Sequence, residues 1–332
     1  QAPDLVDTEV LRDACENVDE VAGGCFCCRF PDLITAMDRL VRESAAEVLL
    51  GEPVGSCTDL SATVMQPLKK YHGNQYEIAP FSVLIDVKQV GALARLQQAA
   101  ESTARFPDNV LYIYEKQLEE ADVIVLNKAD LLNEDELAEL RSALARRYPE
   151  TPLLMLSALT GDGVDAWLEF VSQQQPAGKR IVEVDYDTYA AGEAALGWMN
   201  AAATLEAERP VDWAALAEAL LETMRTSIEE AGGEIGHVKL FLTAKGHGHL
   251  VGNITSNAIP AVLRGMLAPE ARRASLLLNA RVRMDATKLQ SLSEAALAES
   301  GPRYGAKPTV TNIRSFYPGR PEPTHRFAEV VE

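Results

Sequence analysis

Residues 122–130 read DVIVLNKAD: one acid, four consecutive apolar residues, then a polar loop of Asn127, Lys128, Ala129 and Asp130. A short run of Val, Ile and Leu with no polar alternation suits a strand buried on both faces. Such strands belong to parallel sheets, whose crossovers are usually helical. Outward from this stretch the pattern repeats. Residues 47–51 (EVLLG), 81–86 (FSVLID) and 152–156 (PLLML) predict further short strands. Helical periodicity occupies 31–44, 58–71, 89–104, 134–148 and 163–174. The alternation predicts an α/β fold with a mainly parallel sheet flanked by helices.

The second half reads differently. QQQPAGKR at 173–180 is polar, holds Pro and Gly, and reads as a linker. Beyond it an amphipathic helix spans 211–230, with Trp213, Leu216, Leu220, Met224 and Ile228 on one face. Strands are expected at 237–243, 249–254, 275–283 and 308–315, with helices at 260–268 and 286–299. This predicts a smaller α+β domain over 176–332, following a first domain over 1–175. The proline-rich stretch 316–327 (FYPGRPEPTHRF) is expected to lie extended along a surface.

Composition narrows the partners. Asp and Glu number 49 against 31 Lys and Arg, a net charge of −18. That balance argues against nucleic acid, because neutralising phosphates requires surplus cations. Hydrophobic residues make up 47% of the chain, enough for a sizeable core. No apolar run approaches the length of a spanning helix, so no membrane is expected as a partner. Residues 1–20 carry seven acids, unlike a signal or transit peptide. Five cysteines without regular spacing do not form a disulfide framework. The expectation is a cytoplasmic protein with reduced thiols, in which clustered cysteines read as metal-binding or redox-active.

Asn127-Lys128-Ala129-Asp130, at the end of a buried strand, has the form of a guanine-reading loop. The Asp130 carboxylate would accept from the ring N–H and the exocyclic amine of guanine; adenine lacks that donor pair. Ser157-Ala158, at the end of the next strand, suits a backbone N–H directed at the guanine oxygen. Both loops fall at carboxyl ends of strands, where open α/β sheets bind ligands. Glu52-Pro53-Val54-Gly55 follows the strand expected at 47–51. The Glu52 carboxylate suits a Mg²⁺ ion held through water, and the Gly55 N–H a terminal phosphate.

Three of the five cysteines fall in GGCFCC at 23–28. Cys25, Cys27 and Cys28 form a soft donor set suited to Zn²⁺, with Co²⁺ or Cu(I) as competitors. Taken with QLEEADVIVLNKADLL (117–132) and SALTGDGV (157–164), this motif resembles the CobW-type metal-trafficking P-loop GTPases, whose hallmark is Gly-Cys-x-Cys-Cys. The resemblance implies a P-loop NTPase-type sheet, and GTP hydrolysis to GDP coupled to delivery of Zn²⁺ or Co²⁺. It implies GTP and Mg²⁺ as cofactors, a client metalloprotein or cofactor-synthesis enzyme, cobalamin biosynthesis among the candidate pathways, and a homodimer as one assembly. Cys25, Cys27 and Cys28 become metal ligands, Glu52 and Gly55 catalytic, and Asn127, Lys128, Asp130, Ser157 and Ala158 the nucleotide pocket. Cys57 lies close enough in sequence to complete the metal site, but reads first as a small buried residue.

The family's GxxxxGK[ST] phosphate loop does not occur in the 332 residues. The opening QAPDLVDTEVL aligns with the region after the family's second strand, which predicts missing first strands and impaired nucleotide binding by this chain. Two other readings stay open: a nucleotide-independent metal-binding scaffold, and a thiol redox protein. His247-Gly248-His249 has chelate spacing but reads as a polar hairpin turn.

Overall fold

The computed structural model describes residues 5–15, 17–88, 107–173 and 176–332. The helix expected over 89–104 lies outside them. The chain divides into two compact units. One comprises Cys25–Phe30, Gly51–Gly192 and Pro321–Glu332, and holds a parallel sheet; the other comprises Gln1–Gly24, Pro31–Leu50 and Glu193–Arg320, and holds an antiparallel one.

The parallel sheet has strands β1 (Ser82–Asp86), β2 (Val123–Asn127) and β3 (Leu153–Met155), in the order β1-β2-β3. The apolar run read from DVIVL is the central strand, with Val123 to Leu126 fully buried. Its two faces have separate covers. Ile124 and Leu126 pack with Val83, Ile85, Leu118, Leu140 and Leu144, so helices Asp108–Glu120 and Glu134–Arg147 cover that side. Val123 and Val125 face Leu156, Trp167 and Phe170, the last two on helix Val164–Ser172. Burial on both faces is why no alternation is visible in the sequence. Register aligns Asp86 with Asn127, so β1 and β2 end level.

Helix Glu134–Arg147 starts on a capping box: Glu136 N–H donates to Asn133 Oδ1 (3.0 Å), and Asn133 N–H to Glu136 Oε2 (2.9 Å). Acids fill its first turn and Arg146 and Arg147 its last, matching the helix dipole.

Two differences from expectation stand out in this region. The strand expected at 47–51 does not form; Val48 and Leu50 are 77% and 82% exposed. Among the described residues no strand pairs with this segment, and an apolar run without a ladder has no reason to stay pleated. The residues read as a linker are tied down instead. Buried Asp122 accepts from the N–H groups of Phe81 (2.9 Å), Gly178 (2.6 Å) and Lys179 (3.1 Å).

The antiparallel sheet runs β7-β6-β5-β8-β4-β9. Its strands are β4 (Gly197–Ala207), β5 (Glu234–Ala244), β6 (Gly248–Ile254), β7 (Val262–Leu267), β8 (Arg273–Arg283) and β9 (Ala306–Phe316). Helix Trp213–Glu230 buries the expected stripe of Trp213, Leu216, Leu220, Met224 and Ile228 into its core, and Ala296 and Leu297 of helix Ala286–Arg303 join them. β4 was not expected, because alanine-rich GWMNAAATLEA has Thr204 as its one β-branched residue. Pairing with β8 and β9 on both sides overrides that weak preference. The helix expected at 260–268 is instead strand β7. Gly265 sits at φ +85°, where a Cβ would meet the His249 carbonyl at 2.5 Å, a conformation no helix interior takes.

Candidate functional site

The Cys25 carbonyl accepts from the N–H groups of Cys28 (3.1 Å) and Arg29 (2.9 Å), coiling the cysteines into one turn. That turn gathers their sulfurs. Cys25 Sγ lies 2.8 Å from Cys27 Sγ and 3.3 Å from Cys28 Sγ, and the latter two are 3.7 Å apart. All three are free thiols. Among the described residues they are the group of potential metal ligands whose donor atoms all lie within 4.8 Å of one another. A tetrahedral Zn–S bond of about 2.3 Å sets sulfurs about 3.8 Å apart. The Cys27–Cys28 edge already has that length, and small outward rotations bring the others to it. The donor set therefore fits a soft divalent ion.

The three thiols are electrostatically unequal. The Cys25 thiol is pushed far down because Cys27, then Cys28, then Cys57 donate toward its sulfur. Cys27 is pushed up by the same bond seen from its own side, and by burial. A divalent cation is what lets neighbouring thiols ionise together.

Two segments hold the turn in place. From the C-terminal stretch Pro321–Glu332, Thr324 N–H donates to the Cys27 carbonyl (2.8 Å) and Thr324 Oγ1 to that of Cys28 (3.2 Å). The same stretch sets the His325 ring edge-on against Phe30 at 5.2 Å, and pairs Arg326 Nε with the Asp59 carboxylate at 2.7 Å. Within the stretch expected to lie along a surface, Phe316 instead ends strand β9, and Thr324 to Arg326 are anchored by these contacts. On the other side lies the loop carrying Glu52 and Gly55. Its Cys57 N–H donates to the Val54 carbonyl (2.7 Å), and the Gln117 amide donates to the carbonyls of Gly55 (2.9 Å) and Cys57 (2.8 Å). A Cβ on Gly51 would meet the Phe26 ring at 3.6 Å, so this loop lies directly beside the cysteine turn. Glu52 and Gly55 are both exposed.

The second group of residues sits at the carboxyl ends of β2 and β3. Asn127 Oδ1 accepts from Lys128 N–H (2.7 Å) and from Ala158 N–H (3.1 Å), joining the two expected guanine loops. Lys128 adopts φ +63°, and its Nζ reaches the Asp86 carboxylate at 2.7 Å. Asp130 is exposed in the short turn Ala129–Leu131. Buried Ser157 donates its N–H to the Asp162 carbonyl (2.8 Å), and its Oγ accepts from Thr160 N–H (3.2 Å). This leaves the exposed Ala158 at the rim. His247 lies in the β5–β6 hairpin turn and His249 on the start of β6, as the polar-turn reading expects. His249 Nδ1 lies 3.1 Å from an Asp13 oxygen and its ring stacks on Phe241.

Residue-by-residue reading missed Gln117, Asp86 and Thr324. Asp86 had a signal, as an acid ending a strand. Gln117 and Thr324 had none, because their partners are far away in sequence.

The nucleotide-binding-domain model of the CobW/HypB/UreG family matches residues 5–154. That match takes in the cysteine turn, the strands β1 and β2 and the Asn127–Asp130 loop, so over these residues the chain is similar to the CobW/HypB/UreG family. It is 27% identical over 187 residues to a zinc chaperone CobW from Sinorhizobium sp, covering 47% of this chain and 48% of that protein. It is 34% identical over 98 residues to the GTPase Era of Geotalea uraniireducens (strain Rf4), covering 29% and 32%. The chain thus spans about half or less of these curated relatives. A crystal structure of Zn(II)-bound YjiA GTPase from E. coli aligns over 70% of this chain and 66% of that one, at 14% identity and a TM-score of 0.22, too low to bear on the fold. No helix among the described residues is long and apolar enough to cross a membrane.

Proposed function

We propose that this protein is a GTP-dependent metallochaperone that carries a divalent transition metal, Zn²⁺ in the first place and Co²⁺ in the second, on Cys25, Cys27 and Cys28. The observation that carries this reading is the convergence of three free thiols within 3.7 Å of one another, beside the loop of Glu52 and Gly55. The zinc chaperone CobW among the relatives supports zinc as the cargo.

Asp130 reads the guanine edge, Lys128 covers the ring, Asn127 braces both loops, and the Ala158 N–H faces the guanine oxygen. Glu52 orients Mg²⁺ through water, and Gly55 senses the terminal phosphate. These residues fit the base and one flank of the ion. A backbone cradle for the phosphates is not among them, since GxxxxGK[ST] is absent from the 332 residues. Loops ordered by a γ-phosphate and released on hydrolysis are an established switching mode, and the 51–57 loop is placed to pass that change to the thiols. The receiving client is a metalloprotein or cofactor-synthesis enzyme, the compartment is cytoplasmic, and a homodimer is the proposed assembly.

The test is Zn²⁺ affinity of the full-length protein with GDP and with a non-hydrolysable GTP analogue, measured by chelator competition. Distinct affinities in the two states are expected. Equal affinities reduce the protein to a nucleotide-independent metal scaffold. The 2.8 Å approach of Cys25 and Cys27 also suits thiol exchange, and disulfide-exchange activity without Zn²⁺ binding would favour that second reading.

A further inference from the structure

Three sulfurs on one turn leave a tetrahedral ion with an open vertex. Cys57 is the nearest candidate to fill it. It is 2% exposed, it sits on the loop where a Cβ on Gly51 would meet the Phe26 ring at 3.6 Å, and its thiol helps to push the Cys25 thiol down, from a position more than twenty residues along the chain. A buried cysteine that only fills space leaves its neighbours' ionisation untouched; this one bears on the thiols of Cys25 and Cys27. Its N–H donates to the Val54 carbonyl within the same loop, and its carbonyl accepts from the Gln117 amide. Cys57 stands outside the group whose donors all lie within 4.8 Å, so an inward shift of its loop separates three-sulfur from four-sulfur contact.

We infer that Cys57 is a fourth, conditional metal ligand, which closes a Cys₄ site when the 51–57 loop moves in and opens it when the loop moves out. This rests on the cargo-metal reading above and adds to it the residue through which the loop acts. A closed Cys₄ shell retains zinc, whereas a three-thiolate shell keeps a position for an incoming ligand. The Glu52–Gly55 segment and the fourth sulfur share one short loop, so whatever orders the former moves the latter. Ionised on binding, Cys57 releases its proton to solvent along with the other thiols.

The test is the sulfur coordination number of the Zn²⁺-loaded full-length protein by X-ray absorption, for wild type and Cys57→Ser. Four sulfurs falling to three, with Zn²⁺ affinity lowered roughly 10–100-fold or more, is the expected result. Three sulfurs in the wild type, in both nucleotide states, overturns the inference while leaving the carrier function intact. Failure of the wild type to bind Zn²⁺ at all overturns both. If Cys57→Ser misfolds, as thermal melting of the metal-free protein would reveal, the wild-type coordination numbers with GDP and GTP analogue decide the question alone.

Discussion

Thr324 donates its backbone N–H to the carbonyl of Cys27 at 2.8 Å, so the C-terminal stretch of the chain closes over the cysteine turn. Phe327 N–H to the Ala62 carbonyl (3.0 Å) and Val331 N–H to Gln66 Oε1 (2.8 Å) continue the attachment. Deleting residues 321–332 frees the Cys27 and Cys28 carbonyls and loosens the turn. Zn²⁺ affinity is expected to drop roughly tenfold or more, as when other supports of metal ligands are removed. Unchanged affinity in a chelator competition would show that the turn holds its shape unaided.

Asp59 is almost fully buried, at φ +64°, and its carboxyl is pushed up by burial even though Tyr186 and Arg326 both bond to it. Arg326→Met removes the only cation paired with Asp59 among the described residues. Breaking a buried pair costs about 3–5 kcal/mol, and the 36% exposure of the Arg326 side chain lowers the expected loss below that range, to about 2–3 kcal/mol. Adding Asp59→Asn should recover most of it, since Asn tolerates positive φ and carries no charge. Urea titration of the three variants checks this; no recovery in the double variant refutes the charge argument.

Glu120 is buried against Thr58 Oγ1 (3.1 Å) and Ser61 N–H (3.0 Å), and burial pushes its carboxyl up to about 8. The folded state therefore holds this proton where the unfolded chain, at about 4.3, has lost it. The stability so contributed is complete below about 4.3 and disappears as pH rises through about 8. Glu120→Gln should flatten the decline of melting temperature across that window. A parallel pair of pH profiles would remove Glu120 as its source.

Asp130 is exposed and free to meet a base edge. Asp130→Asn replaces an acceptor by a donor, and each hydrogen bond to a charged group is worth about 1.5–3 kcal/mol. Guanine nucleotide affinity of the full-length protein should fall roughly 100-fold, while xanthine nucleotides, with a carbonyl in place of the amine, gain. Calorimetry with GDP and XDP measures both, and equal binding of GDP by the two proteins would move the base site elsewhere.

Because the pattern GxxxxGK[ST] does not occur in its 332 residues, this chain is expected to bind GTP more weakly than micromolar. Micromolar binding with ordinary turnover by this chain would overturn that expectation.

Much of the molecule was legible from local pattern. The uninterrupted apolarity of Val123 to Leu126 marked a doubly covered parallel strand, and the Trp213–Ile228 stripe marked a helix against a sheet. Cys25, Cys27 and Cys28 were legible because one turn holds them, so sequence spacing is nearly spatial spacing. Strand β4 and strand β7 were not, because alanine and leucine state a weak preference that pairing on a sheet outweighs. The segment 47–51 erred the other way, apolar enough for a strand but without a neighbour to pair with.

The order of residues alone determined which chemistry is present: a sulfur trio, an Asn-Lys-x-Asp loop and an acidic loop with a glycine, each built from neighbours along the chain. Only the tertiary structure decided what surrounds them. Cys57 against Cys25, Gln117 on Gly55 and Thr324 on Cys27 are contacts between distant segments. No local preference encodes them, because they exist only once burial of the core has brought those segments together.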